Sequence, residues 1–438
     1  MYIQLISIHG LIRGENVEMG RDADTGGQVR YVLELAKTLS QCPGVEAVDL
    51  FTRRVKDKRV ASDYAEEIEE LAPRCRLVRL PCGGARYLRK ERLWPFLDDY
   101  VDAMISFTRR AGRLPTVVHG HYADAGYVAK EVAAAFDVPF VFTGHSLGKP
   151  KLEYLLGEGW TPEEANRELH IDHRISVEQD CLAVAGLLIV STRHEGDCQY
   201  REYQRREDLR CEVIPPGTDL DRFFPYYDYD LPSPVIDERF KQARVRMTQD
   251  LNRFHFNTAK PLILALCRPD RRKNIGALIE AYGESKELQA IANLAVFAGI
   301  RDKIESMPDN EQRVLTDMLL AMDRYDLYGK MAIPKDHSSE YDVPELYRLA
   351  AASRGIFVNS AFIELFGLTA IEASATGLPF VATADGGPQD IVENCQSGLI
   401  VDVRDRGELT GAMLKLLTDQ NAWMTCSTNG VNLVRKHY

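Results

Sequence analysis

Residues 261–274 read PLILALCRPDRRKN, and this stretch decides the fold. From Leu262 to Cys267 the apolar residues run on without alternation, as they do in a strand buried on both faces. The loop that follows puts four cations, Arg268, Arg271, Arg272 and Lys273, into six positions, and helical spacing begins at Asn274. A buried strand feeding a helix through a short loop is the repeating unit of a parallel α/β sheet. Downstream the unit recurs: NLAVFAG (293–299), a helix near 312–324, GIFVN (355–359), a helix from Gly367, PFVATA (379–384), GLIVDV (398–403) and a helix near 408–417. Upstream, the strand IQLISIHG (3–10) leads to VRYVLELAKTLS (29–40), with Val29, Val32, Leu33, Leu35, Ala36 and Leu39 on one helical face. AVDLFT (47–52), RLVRLP (76–81), TVVHG (116–120), PFVFTG (139–144) and LLIVST (187–192) are further strands. Between the two runs VIPPG (213–217) breaks the pattern, because its prolines fit neither a helix interior nor a central strand. The expectation is an α/β protein of two doubly wound, Rossmann-like domains, 1–215 and 216–438, facing a deep interdomain cleft.

Composition narrows the function. The 438 residues carry a net charge of −11, which argues against nucleic-acid and anionic-membrane partners. No stretch approaches the ~20 apolar residues of a membrane span, and MYIQLISIHG lacks the features of a signal peptide. Nine scattered cysteines without a CxxC pair fit reduced thiols rather than a zinc ribbon or disulfide framework. A cytoplasmic location is expected.

Three stretches carry chemistry. In ELFGLTAIE (364–372), Gly367 opens a helix whose free N–H groups and positive dipole end suit a diphosphate. Glu372 within that helix can accept from vicinal hydroxyls, and Glu364 ahead of it can reach a second sugar; solvated surface glutamates are the plainer alternative. In CRPDRRKN (267–274), Arg268 directly follows the buried strand and points to a pyrophosphate, whereas Arg271 and Arg272 also fit a solvated basic loop. In GRDADTGGQ (20–28), paired glycines before a helix let a ligand approach the backbone. Its Asp22–Asp24 pair reads as an acidic turn rather than a metal-binding DxD, and no metal site is expected. His121 and His145 both lie at strand carboxyl ends, where open sheets bind ligands.

At these residues the chain resembles the retaining GT-B glycosyltransferases of the glycogen-synthase and sucrose-synthase type, and within them the sucrose-phosphate synthase branch. The resemblance runs through HGHYADAGYVAKE (119–131), FTGHSLGKPKLE (142–153), VIPPGTD (213–219), RPDRRKNI (268–275), YDLYGKMAIPK (325–335) and FGLTAIEASATGLPFVAT (366–383). It implies transfer of glucose from UDP-glucose, or ADP- or GDP-glucose, to fructose 6-phosphate. Glu364 and Glu372 then form an E-x7-E signature, holding donor glucose and ribose. Arg268 and Lys273 grip the diphosphate, backbone groups around Phe366, Gly367, Leu368 and Thr369 complete the donor site, and His145 lies near the glucose 6-hydroxyl. Catalysis is implied for His145, Glu364, Arg268 and Lys273. For the acceptor the resemblance implies Gly27, Gln28, Lys90, His121, Ser146, Lys151 and Arg174. It implies no required cofactor, leaves stimulation by magnesium open, and suggests a sucrose-phosphate phosphatase as a partner.

The chain departs from the family at Leu365 (commonly Pro), Cys267 (Ser) and Ile300 (Asn). Relatives continue past the final RKHY with a helix that crosses back to the first domain, so the last residues here are expected to turn that way. Sucrose synthase, which uses unphosphorylated fructose, is the nearest alternative, and it has no cation set matching Lys90, Lys151 and Arg174. A two-carboxylate glycoside hydrolase built on Glu364 and Glu372, and a non-catalytic sugar-nucleotide sensor, are the other readings.

Overall fold

The computed structural model describes residues 1–18, 24–157, 159–204, 206–230 and 236–438. The chain divides into two compact units, Met1–Ile214 and Pro215–Tyr438. Each is built on its own sheet.

The first sheet has eight strands: β1 (Tyr2–Ile6), β2 (Ala47–Arg53), β3 (Ile68–Ala72), β4 (Cys75–Leu80), β5 (Val117–His121), β6 (Phe140–Thr143), β7 (Leu187–Val190) and β8 (Arg210–Val213). Their spatial order is β3-β4-β2-β1-β5-β6-β7-β8. All neighbours are parallel except the β3–β4 edge pair, which is antiparallel. From β1 the chain builds outward through β2 to one edge, then returns to β5 and builds to the other. The strand order therefore reverses between β1 and β5, and a ligand site is expected beyond their carboxyl ends. The helix Gly27–Gln41 turns Val29, Val32, Leu33 and Ala36 onto the sheet, while Leu35 and Leu39 are half-buried.

The second sheet has six strands, all parallel: β9 (Leu262–Cys267), β10 (Asn293–Ala298), β11 (Met331–Ala332), β12 (Ile356–Asn359), β13 (Phe380–Thr383) and β14 (Gly398–Val401). Their order is β11-β10-β9-β12-β13-β14, so the reversal falls between β9 and β12. β10 is buried at every position, in keeping with an unbroken apolar run covered on both faces.

Every strand expected from sequence is present. Three others, β3, β8 and β11, carry little apolar periodicity: β3 contains Glu69 and Glu70, and β11 is only two residues long. The helices Glu238–Asn252 and Gln420–His437 are also additional to the sequence reading. The second of these packs on the helices Leu368–Ala375, Pro388–Cys395 and Arg406–Thr418 of its own unit, through the buried Trp423, Val431 and Val434. That is where the structure sets the last residues.

Candidate functional site

The β9–β12 reversal collects the basic loop and the first glutamate of the signature. Phe362 donates its N–H to the carbonyl of Arg272 at 3.0 Å, and Ser360 Oγ donates to the carbonyls of Lys273 and Asn274 at 3.1 and 3.2 Å. The loop after β9 is thereby bolted to the loop after β12. As a result Lys273 Nζ donates to Glu364 Oε2 at 2.7 Å, and Asn359 Nδ2 donates to the same oxygen at 3.0 Å. Burial alone would raise the Glu364 carboxyl, but the Lys273 charge and hydrogen bond, the Asn359 bond and the charge of Arg268 together hold it below the usual range. Glu364 is thus an ionised acceptor with its second oxygen available to a hydroxyl.

Two glycines shape the backbone here. Gly386, at φ +118°, lies so close to Glu364 that a Cβ would sit 2.1 Å from its carbonyl oxygen. Gly367, at φ +98°, caps the helix Leu368–Ala375, and no side chain makes a capping hydrogen bond at that helix end. Phe366 is buried in the core, while Leu368 and Thr369 are half-buried on the first turn. Further along the helix Glu372 accepts from Tyr347 Oη at 3.3 Å. Arg268 is exposed at the end of β9, and Arg272 forms a two-pronged contact with Asp270. Sequence reasoning did not find Asn359 or Tyr347. Asn359 had one signal, its place as the last residue of a strand at the reversal.

The β1–β5 reversal in the first unit gathers the other predicted residues. Lys90, Lys151 and Arg174 line one recess together with Trp94, Tyr122 and Asp124. Arg174 is buried; its Nε donates to Glu178 Oε1 at 2.8 Å and its Nη2 to the carbonyl and hydroxyl of Ser146 at 2.5 and 3.3 Å. Its guanidinium also lies 4.4 Å from the ring centroid of Tyr122. Lys90 Nζ pairs with Asp24, whose other carboxylate oxygen accepts from the Lys90 N–H at 2.9 Å. Asp24, Glu178 and Tyr122 are thus structural partners that sequence reading did not single out for these roles. Gly20 and Asp22 of the glycine loop lie outside the described residues. Above Gly26 and Gly27 a Cβ would meet nothing within 4 Å, leaving open space over the start of the helix. Gln28 Nε2 donates to Ser7 Oγ at 3.1 Å and to the His121 carbonyl at 3.3 Å.

The histidines form a stack. His119 and His121, two residues apart on β5, face the same way with ring centroids 4.0 Å apart. His121 Nδ1 lies 3.0 Å from His145 Nε2. Burial, with smaller contributions from the neighbouring rings, lowers His145 to about 3 and His121 well below its ordinary value; burial alone lowers His119 to about 3. All three imidazoles are neutral at pH 7. Tyr122 and His145 adopt positive φ of 78° and 56°, strain of the kind that gathers at ligand sites. His145 is partly exposed, whereas His121 lies wholly inside, behind it.

Residues 26–217 match the family described as "Glycosyl transferase 4-like domain", and residues 247–432 match "Glycosyl transferases group 1". Together these two glycosyltransferase models cover most of the chain, and the chain has the GT-B glycosyltransferase fold. It is similar to the sucrose-phosphate synthase of Zea mays, 43% identical over 98% of this chain and 45% of that protein. It is likewise similar to sucrose-phosphate synthase 4 of Arabidopsis thaliana, 42% identical over 100% of this chain and 46% of that protein. The chain therefore spans just under half the length of these curated relatives. Among solved GT-B structures, a sucrose-phosphate synthase from Thermosynechococcus elongatus has a TM-score of 0.75 at 26% identity, covering 100% of this chain and 94% of that one. Anabaena Alr3699/HepE, solved in complex with UDP-glucose, shares the fold at 14% identity, with a TM-score of 0.62 over 100% of this chain and 95% of that one. Among the described residues no helix is long and apolar enough to cross a membrane, and no group of three or more His, Cys, Asp or Glu side chains could hold a metal ion.

Proposed function

We propose that the chain is a retaining glucosyltransferase that moves glucose from a nucleoside diphosphate glucose to fructose 6-phosphate, giving sucrose 6-phosphate and the nucleoside diphosphate. The observation that carries this reading is the recess shared by Lys90, Lys151 and Arg174. A phosphate dianion needs several cations when partly withdrawn from water, each charged hydrogen bond contributing about 1.5–3 kcal/mol. An unphosphorylated ketose needs none, so the cation set favours a sugar phosphate over fructose.

In the second unit Arg268, Lys273 and the helix end at Gly367 would take the diphosphate. A nucleoside diphosphate is already a good leaving group, so the cations' task is to stabilise the charge that grows on it as the glycosidic bond breaks. Glu364 would accept from a glucose hydroxyl and Glu372, steadied by Tyr347, from the ribose. The incoming hydroxyl would attack on the face the phosphate leaves, and the diphosphate would accept its proton. In a hydrolase one carboxyl is held up in pKa as the general acid, so Glu364, which is held down, could serve only as its ionised partner. The ADP and GDP forms of the donor remain within the proposal, as does a phosphatase acting on the product's phosphate ester.

The test is a coupled assay crossing UDP-, ADP- and GDP-glucose with fructose and fructose 6-phosphate, with and without magnesium. Turnover only with the phosphorylated ketose is expected. Equal rates with fructose, or hexose release from sucrose alone, would overturn the proposal.

A further inference from the structure

The catalytic reading gives His145 a sugar contact, but it leaves open which of its ring nitrogens carries the proton. The pair with His121 settles that. His121 Nε2 is buried and has no hydrogen-bond partner. Its Nδ1 shares one hydrogen with His145 Nε2 across 3.0 Å, and either ring could donate. If His145 donated, the single proton of a neutral His121 would sit on Nε2, leaving a buried N–H with nothing to accept it. Orphaned buried N–H groups are rare, more so than acceptors left without a donor. If His121 donates, its stranded Nε2 is a bare lone pair and every N–H in the pair is used or available. His145 then carries its own proton on Nδ1, the nitrogen that the pair does not use.

The surroundings hold this arrangement in place. The rings of His119 and Tyr31 pack against the pair, with Tyr31 edge-on to His145 at 5.0 Å and to His121 at 5.9 Å. His119 Nε2 is itself occupied by Thr143 Oγ1 at 2.8 Å and cannot serve His121.

We propose that His121 is a positioning residue that holds His145 as the Nδ1–H tautomer, so that His145 meets the bound sugar as a hydrogen-bond donor. The proposal rests on the glucosyltransferase reading for the identity of the sugar, but the tautomer itself is a property of the free protein. In this account His121 does not touch the acceptor. It acts through His145.

The experiment is nitrogen NMR of the full chain with ring-labelled histidine, with the His145 signals identified by their loss in His145→Gln. The expected result is a protonated Nδ1 and a bare Nε2 for His145. In His121→Leu the His145 ring is expected to redistribute toward protonated Nε2, and kcat to fall about tenfold or more while the KM of fructose 6-phosphate stays within about twofold. His121→Asn places an amide nitrogen close to the position of the ring Nδ1 and is expected to restore both the tautomer and most of kcat. A His145 found protonated on Nε2 in the wild-type protein, or a tautomer unchanged in His121→Leu, overturns the proposal. The NMR readout keeps it separate from the proposed function: a chain with no transfer activity but the Nδ1–H tautomer would refute the sugar-transfer reading and leave the His121–His145 assignment standing.

Discussion

Replacing Lys273 with Met separates a donor-site role from a structural one. Lys273 and Glu364 are 2.7 Å apart, which at an effective dielectric of about 20 is worth about 6 kcal/mol of gross attraction. Most of that returns as hydration when the pair separates, because the side chains are 28% and 18% exposed. The net contribution of such a pair is about 1 kcal/mol. Glu364 would keep its bond from Asn359, so the local backbone should survive. A loss of about 1 kcal/mol lowers the melting temperature of a unit of this size by about 2–4 °C. The catalytic cost is larger, because a cation aimed at charge that develops only in the transition state is worth about 10²–10³ in rate. Calorimetry and steady-state kinetics on Lys273→Met should therefore show a small drop in Tm beside a fall in kcat/KM of about 100-fold. Were Lys273 merely a structural partner of Glu364, kcat/KM would stay within about twofold of the wild type, because a protein that loses about 1 of roughly 5–15 kcal/mol is still almost wholly folded. A kcat/KM that little changed, or a Tm drop of more than about 10 °C, would refute the reasoning.

Other outcomes follow from the same geometry. Arg174→Lys keeps the charge but cannot reach Glu178 and Ser146 together, so the KM of fructose 6-phosphate should rise about tenfold or more while that of the nucleotide sugar is unchanged. Glu195 is raised to about 7 by burial, despite the N–H of Ser191 donating to it at 2.7 Å. A carboxyl whose folded pKa lies above its unfolded value costs stability once it must ionise, so that cost is absent near pH 4, grows as the pH rises from the ordinary carboxylate range to about 7, and is complete above that. Glu195→Gln should therefore match the wild type in chemical denaturation near pH 4 and exceed it at pH 8 by about 1–3 kcal/mol. Trp423 is buried and donates to the Gly355 carbonyl at 2.7 Å; Trp423→Ala should cost about 3–5 kcal/mol of stability without changing either substrate's KM below the melting transition.

The two sheets were legible because their central strands are covered on both faces, and such strands advertise themselves as unbroken apolar runs. β9, β10 and β12 do so over most of their length, and β1 is interrupted only by the buried Gln4. Edge and short strands do not. β3, with adjacent glutamates and one exposed isoleucine, satisfies no periodic template, and β11 is too short to have a period. Glu364, Glu372, Arg268 and Lys273 could be singled out because each lies in a local pattern: a strand end, a basic loop, a glycine before a helix.

What each of these side chains does with its neighbours was decided elsewhere. Lys273 meets Glu364 across 91 residues and Lys90 meets Asp24 across 66, and no spacing in the sequence announces either pairing. The histidine signals differ in the same way: TVVHG and PFVFTG placed His121 and His145 at strand ends, but only the adjacency of β5 and β6 sets one ring against the other and makes the first a support for the second. Periodicity is a short-range property, fixed by how a few consecutive side chains meet water or core, so the sequence alone determined the elements and the kinds of chemistry at their ends. Strand order is a long-range property, fixed by how whole elements pack. It was the tertiary structure, through two reversals of that order, that chose which charges meet, which proton sits where, and so what each site can hold.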